Sequence, residues 1–393
     1  MRKFFRKLLG RSDSGASCPT KQRLQRIEWY RQYLKFAERN FDKRFAEAHQ
    51  CPREDIKNFR ILGLLGEGRY ASVVHAKDRD ANSDFAIKVV NKERTVLNRT
   101  AQKIIQEKKI LYAVDFEFII KLNFVGKDFA NVYFFMELAP CGDLSQITDR
   151  REKVVRCFAA QIILAIEYLH ACNVLHRDIK PANVLLFPDA QVKLGDLGSA
   201  VPVKKCVYGV CGTPEYMAPE VASNSGYRDG CDWWAFGVTL FVLLFDKYPF
   251  FGFMHRPWTF PTAPNVSSDV KDLIKGLLKE DPAKRFGVCI NGKTDIKEHS
   301  WFREVNFADV FDRRTKVHVS GSHKVEAVKL GLEDICPPPQ EDRYQIRSIV
   351  TRVSRDRGNL INASLTLLRT SQTATVVPSF DRQTSELCGT EVS

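Results

Sequence analysis

The sequence predicts an α+β protein in two unequal parts, and three observations carry that expectation. From 59 to about 140 the apolar pattern is strand-like, with one helical stretch near 99–113. From 141 to about 302 the pattern turns mainly helical. Residues 311–393 turn polar, with Ser, Thr and Arg and few apolar clusters. The expected layout is therefore an arm and leading helix over 1–58, a folded body over 59–302 divided at 140/141, and a polar, largely disordered tail over 303–393.

The elements follow in order. Residues 1–11, MRKFFRKLLGR, set Phe4, Phe5, Leu8 and Leu9 against Arg2, Lys3, Arg6 and Lys7. That is a short basic amphipathic helix able to lie on an anionic membrane surface; a solvated arm and a helix docked on the body are the alternatives. Leu24, Ile27, Tyr30, Leu34, Phe41 and Phe45 give 21–48 a helical stripe, which ends before Pro52. The segments 154–170 (VVRCFAAQIILAIEYLH) and 269–279 (DVKDLIKGLLK) carry helix-period apolar stripes. The apolar run 232–245 is too short to span a bilayer, contains Asp232, and reads as a buried helix.

Composition excludes several classes. Net charge is +13, but residues 1–50 hold 13 basic and 5 acidic side chains, while 51–310 hold 35 and 32. The body is an ordinary mixed-charge surface, and the basicity sits in the arm. Eleven scattered Cys without CxxC pairs argue against a disulfide framework or zinc site. They fit a reducing compartment, so a cytoplasmic location is expected, with membrane association through the arm. No signal-peptide pattern precedes the body. Nucleic-acid binding would need bases interleaved with aromatics. Trp29 and Tyr30 stand instead at helical packing spacing, so no nucleic-acid partner is expected.

Three motifs carry chemistry. In LGEGRYASV (65–73), Gly66 and Gly68 let a turn approach phosphate oxygens, although alone the pattern is weak and reads more readily as a plain hairpin turn. In DFAIKVV (84–90), Lys88 lies inside a strand-type run and needs an anionic partner, because an unpaired buried ammonium is costly. Glu107, nineteen residues on in a helical stretch, can supply it. In HRDIKPANVLL (176–186), Asp178, Lys180 and Asn183 stand in fixed register, and Asp196 follows thirteen residues after Asn183 in KLGDLGSA. Two oxygen ligands, Asn183 and Asp196, suit Mg²⁺. Asp178 is placed to accept a hydroxyl proton and Lys180 to offset charge on a transferred phosphoryl group.

With CGTPEYMAPE at 211–220, these motifs in this order resemble a eukaryotic protein kinase over roughly 59–302. The resemblance implies the bilobal protein-kinase fold, with a β-rich N-lobe carrying one key helix, a mainly helical C-lobe, and ATP in the cleft. It implies that Leu65, Gly66, Glu67, Gly68, Arg69, Tyr70, Ala71, Ser72 and Val73 border the nucleotide. Ala86 and Lys88 fall on the third strand, Met136 at the gatekeeper, and Glu137 and Ala139 at the hinge. Glu220 and Arg285 resemble the family's C-lobe ion pair, and Asp232 the residue bracing the catalytic loop. GTPEYMAPE and Lys180 resemble serine/threonine kinases. CGTPEY, DWWAFGV and RFGVCINGKTDIKEHSWF resemble the AGC group, and within it the catalytic subunit of cyclic-AMP-dependent kinase. GEGRYASVV and DLGSA carry a second likeness, to the phosphoinositide-dependent kinase.

Departures from the pattern matter. The third loop glycine is Ala71 and the aromatic of the magnesium motif is Leu197. Counting back from CGTPEY, the activating phosphothreonine falls at Gly209, which has no hydroxyl. Lys204 and Lys205, or an acidic group elsewhere, are the candidates to order that segment instead. Thr213 is expected on Asp178 and Lys180. An acid that relatives use for Arg-rich peptides resembles Asp143, a second position holds Ala182, and the segment 250–261 is short, so a weaker Arg preference is expected. The function expected is ATP- and Mg²⁺-dependent transfer to Ser/Thr hydroxyls of protein substrates by a monomeric catalytic unit. The alternatives are a kinase-fold scaffold, which would usually lack one of Lys88, Glu107, Asp178, Lys180, Asn183 or Asp196, and a phosphoinositide-dependent-kinase-like enzyme.

Overall fold

A computed structural model describes residues 19–68, 71–250, 258–262, 264–289, 292, 294–315 and 317–320. The basic segment 1–11, Arg69, Tyr70, most of 250–257 and the tail from 321 lie outside the described residues.

Alternation builds the smaller lobe. After the leading helix α1 (Pro19–Ala46) come strands β1 (Phe59–Glu67), β2 (Ala71–Asp78) and β3 (Asp84–Asn91). Two helices follow, α2 (Lys92–Leu97) and α3 (Ala101–Ala113), then strands β4 (Leu122–Lys127) and β5 (Asn131–Glu137). The strands form one antiparallel sheet in the order β1-β2-β3-β5-β4. Successive side chains point to opposite faces. Phe85, Ile87 and Val89 of β3 therefore join Phe59, Val74, Tyr133 and Phe135 in one apolar cluster. Ala86 and Lys88 are left to the other face, opposite Met136 and Phe134 of β5. Helix α2 has no apolar stripe to reveal it; Asn91 starts it by accepting from Arg94 N.

The larger lobe is organised by two apolar helices, α4 (Glu152–Ala171) and, after strands β6 (Val174–Leu175), β7 (Val184–Phe187), β8 (Gln191–Leu194) and β9 (Val201–Pro202) and short helix α5 (Pro219–Ala222), helix α6 (Gly230–Phe245). Among the described residues α4 is the one helix long and apolar enough to cross a membrane, but 83% of its apolar window is buried inside the lobe, as a core helix requires. In α6 every residue but Val242 is buried, as the apolar run 232–245 predicts. Helices α7 (Ser268–Leu277), α8 (Thr294–Lys297) and α9 (Phe307–Phe311) complete the lobe.

Packing continues past residue 302. Val310 and Phe311 are 3% and 2% exposed. The rings of Trp29, Tyr30 and Tyr33 on α1 close on Phe311 with centroids 5.1, 5.8 and 5.3 Å away. Tyr30 Oη donates to Glu167 of α4 at 3.0 Å, and Arg44 Nε to the Tyr112 carbonyl of α3 at 3.0 Å. Beyond α9, Arg313 donates to Gln191 Oε1 at 2.6 Å and Ser320 N to Asp149 Oδ2 at 2.9 Å. Phe307, Val310 and Phe311 have an i, i+3, i+4 spacing that is enough for one docked turn. The leading helix and residues 303–315 and 317–320 thus pack on the folded body.

Candidate active site

The strand pleat aims Lys88 away from the sheet's apolar cluster, and α3 brings Glu107, 2% exposed, to meet it. Lys88 Nζ lies 2.6 Å from Glu107 Oε1 and 3.1 Å from Asp196 Oδ1. Burial by itself would lower the Lys88 ammonium; the two carboxylates outweigh it and hold its pKa well above the ordinary lysine value. Lys88 in turn holds the Asp196 carboxyl below its usual range, against the effect of burial. The Asp196 side chain stays half exposed while Leu197 behind it is fully buried, so the apolar plug is kept without a Phe.

Two small pairings shape the catalytic loop. Val174 and Leu175 of β6 pair with Pro202 and Val201 of β9, and β7 pairs with β8 as a hairpin. Residues 176–183 run between them, so Asn183 ends beside Gly195, whose N–H donates to the Asn183 carbonyl at 2.8 Å. Asp232, in the first turn of α6, accepts from His176 N at 2.9 Å, Arg177 N at 2.8 Å and His170 Nε2 at 2.8 Å. Burial would push its carboxyl up, but these donors outweigh burial and hold it below the ordinary range. The bracing role expected of Asp232 is thereby given a geometry.

The Asp178 carboxylate is held on three sides. Thr213 Oγ1 donates to Oδ1 at 2.6 Å, Asn183 Nδ2 donates to Oδ2 at 3.0 Å, and Lys180 Nζ lies 2.9 Å from Oδ2. Lys180 Nζ also donates to Thr213 Oγ1 at 2.6 Å, as the sequence leads one to expect of Thr213. Gly212 carries Thr213 into place at φ +104°, where a Cβ would collide with the Arg177 carbonyl oxygen. Glu220 and Arg285 form their expected ion pair beneath the segment.

The residues expected to border the nucleotide are placed as follows. Gly68 N donates to Ala71 O at 2.8 Å, closing the β1–β2 turn, and Gly66, Glu67 and Gly68 are exposed. Leu65, Ala71, Ser72 and Val73 are half-buried beside them, with Val73 opposite Lys88. Ala86 is buried opposite half-buried Met136. Glu137 and Ala139 follow, half-buried, where the chain crosses to the larger lobe. Glu137 accepts from Lys193 Nζ at 2.7 and 2.6 Å and from Lys121 N at 2.8 Å, which fixes this crossing. Arg69 and Tyr70 lie outside the described residues.

The donor set fits magnesium. Asn183 Nδ2 is spent on the Asp178 carbonyl at 2.7 Å and carboxylate at 3.0 Å, which leaves Oδ1 for a cation near Asp196. Among the described residues no cluster of three or more His, Cys, Asp or Glu could hold a metal ion by itself. Two oxygens are what Mg²⁺ asks of a protein when phosphates and water supply the rest.

Some contacts here escape sequence reasoning. Lys193 on Glu137, and Gln106 of α3, whose Nε2 donates to the Ala200 carbonyl at 2.7 Å, have no spacing that announces them. Lys204 and Lys205, named as candidates to order the activation segment, are exposed.

The sequence matches the protein kinase domain model over residues 59–302, and the chain belongs to the protein kinase family. Its relatives point to the particular kind. It is 34% identical over 275 residues to a cAMP-dependent protein kinase, catalytic subunit-like, of Caenorhabditis briggsae, covering 67% of this chain and 71% of that one. It is likewise 34% identical over 278 residues to the human cAMP-dependent protein kinase catalytic subunit PRKX, covering 67% and 77%. It is 32% identical to the cAMP-dependent protein kinase catalytic subunit of Dictyostelium discoideum, covering 67% of this chain and 42% of that one. The chain is an AGC-like serine/threonine protein kinase that uses ATP and Mg²⁺ and acts on protein substrates.

Proposed function

We propose that this kinase transfers phosphate with an activation segment that needs no phosphothreonine at position 209. The observation that carries the reading is the closed chain Lys180–Thr213–Asp178, complete with Gly at 209. Asp178 orients a Ser or Thr hydroxyl and accepts its proton, and Lys180 offsets charge on the group in transfer. Lys88, steadied by Glu107, grips the phosphates that stay behind. Leu65, Gly66, Glu67, Gly68, Arg69, Tyr70, Ala71, Ser72, Val73, Ala86, Met136, Glu137 and Ala139 enclose the nucleotide. Asn183 and Asp196 would hold magnesium, which when bound would offset phosphate charge. Most of this is positioning and electrostatics, in a cleft whose groups are already fixed by one another.

The test is transfer from labelled ATP and Mg²⁺ to a Ser/Thr peptide pool by wild type, phosphatase-treated wild type and Asp178→Asn. Activity surviving phosphatase and falling by about 10²- to 10⁴-fold in the variant is expected. Loss of activity on phosphatase treatment sinks the reading.

We further infer a monomeric, cytoplasmic catalytic unit whose residues 1–11 adsorb to anionic lipid, since Arg2, Lys3, Arg6 and Lys7 alternate in the sequence with Phe4, Phe5, Leu8 and Leu9 at helical spacing. Co-sedimentation with phosphatidylserine vesicles, lost in Arg6→Glu/Lys7→Glu, is expected. Equal sedimentation with neutral vesicles contradicts it. A single-species mass near 44.9 kDa by light scattering checks the monomer.

A further inference from the structure

The activation segment is pinned by uncharged groups. Val207 and Tyr227 exchange reciprocal backbone hydrogen bonds at 3.0 and 3.0 Å, an isolated antiparallel bridge. Two residues on, the Gly209 N–H donates to Asn224 Oδ1 and the Gly209 carbonyl accepts from Tyr227 Oη at 2.7 Å. Tyr227, 2% exposed, uses the same hydroxyl to accept from Arg177 Nη1 at 3.1 Å. Arg177 Nε donates to the Ser199 carbonyl at 2.7 Å. Arg177 is the residue before Asp178, and its carbonyl is the surface against which Gly212 packs. One phenol thus joins residue 209, the catalytic loop and, through Arg177, the start of the segment.

Position 209 excludes the alternative. Gly209 sits at φ +102°, a backbone conformation a β-branched residue strongly resists. A threonine there would demand a different path for the segment. The missing hydroxyl and the path that reaches Tyr227 are two sides of one local structure.

We propose that Tyr227 is a positioning residue for phosphoryl transfer, its hydroxyl tying Arg177 of the catalytic loop to the Gly209 carbonyl of the activation segment. This rests on the phosphate-independent reading above. The hydrogen bonding balances: the phenol offers one acceptor to the guanidinium and one donor to the Gly209 carbonyl. No charge is imported, so nothing has to be added or removed to hold the segment in place. Tyr227 touches neither nucleotide nor acceptor; it acts through Arg177 and the backbone that carries Thr213.

The test compares the full-length wild type with Tyr227→Phe, both phosphatase-treated. The variant keeps the ring and its packing and removes only the hydroxyl. Expected is a fall of about 10- to 100-fold in kcat/KM for peptide, the range set by one hydrogen bond to a charged group. ATP affinity should stay within about twofold, because that one hydrogen bond makes no contact with the nucleotide. Amide hydrogen exchange should accelerate at Val207 and Gly209 and stay unchanged through α6. Wild-type kcat/KM in Tyr227→Phe overturns the proposal while leaving phosphate independence standing. A loss shared equally by ATP affinity, with faster exchange through α6, overturns it in favour of a general structural role. Wild type silenced by phosphatase overturns the underlying reading before any variant is compared. If Tyr227→Phe does not fold, Asn224→Ala removes the exposed acceptor of the Gly209 N–H. A several-fold loss of kcat/KM with faster exchange at Gly209 then supports the pinned segment, and unchanged kinetics overturns it.

Discussion

Glu220 and Arg285, 65 residues apart, meet as a desolvated bidentate pair, Nη1 to Oε1 at 2.6 Å and Nη2 to Oε2 at 3.0 Å. Arg285 is 0% exposed and also donates to the carbonyls of Gly230 at 2.8 Å and Lys279 at 3.0 Å. A guanidinium so placed cannot recover water if its carboxylate is removed. Glu220→Ala should therefore cost about 3–5 kcal/mol, since the partner left behind is an uncompensated buried charge. Urea unfolding followed by fluorescence checks it, and a loss under about 1 kcal/mol, the range of an exposed pair, contradicts the assignment.

Thr213 predicts a split between side chains of similar size. Its hydroxyl accepts from Lys180 and donates to Asp178, so it fixes both. Thr213→Val should lower kcat by about 10- to 100-fold, whereas Thr213→Ser retains most of it. Steady-state kinetics at saturating ATP distinguishes them, and equal loss in both variants would assign the effect to packing.

Peptide selection should be weak for arginine. Asp143 Oδ1 already accepts from Ser145 N at 2.8 Å and from the Ser145 hydroxyl, capping a local turn. Ala182, exposed on the catalytic loop, offers no carboxylate. A positional-scanning library is expected to show no paired-arginine requirement before the acceptor; strong selection for two arginines refutes this.

Acid stability should depend on Asp149. Hydrogen bonds from Arg151, Nε at 2.8 Å and Nη2 at 2.6 Å, hold its carboxyl well below the usual range against burial, and Ser320 N adds another. A depressed folded pKa contributes stability that is complete above the unfolded value, near ~3.9, and is lost as pH falls toward the folded one. Between about pH 4 and pH 2 the Tm of wild type should fall more steeply than that of Asp149→Asn. Parallel slopes in calorimetry would show that Asp149 contributes nothing to acid unfolding.

The packing of Phe311 makes the segment after 302 part of the fold. Phe311→Ala should cost about 3–5 kcal/mol, as for other buried aromatic truncations. A chain cut at 302 should unfold at lower temperature than one cut at 320. Equal Tm values for the two would return residues 303–320 to the tail.

Much of the candidate site is legible without coordinates because its chemistry is local. Asp178, Lys180 and Asn183 lie within six residues, and Asp196 follows across one hairpin whose VLL and VKL strands are visible in the sequence. Lys88 announces a partner because a cation in a half-buried strand needs one, and a helix with Glu107 follows. The residues that were not legible act across long separations: Tyr227 on Arg177, Lys193 on Glu137, Gln106 on Ala200. None belongs to a repeating pattern, and each uses a hydroxyl, amine or amide that would read as surface if found alone.

Periodicity and spacing by themselves determined the two-part α+β body and the presence of its catalytic residues. Pleat, helical stripe and loop register depend on neighbours within a few residues. Only the tertiary structure decided which distant groups meet the activation segment at Gly209, and that packing continues past residue 302. Both depend on which distant polar groups and rings come within 3 to 6 Å once the chain closes. That is set by the path of the backbone at residues such as Gly209 and by the docking of α1 on Phe311, not by any local propensity.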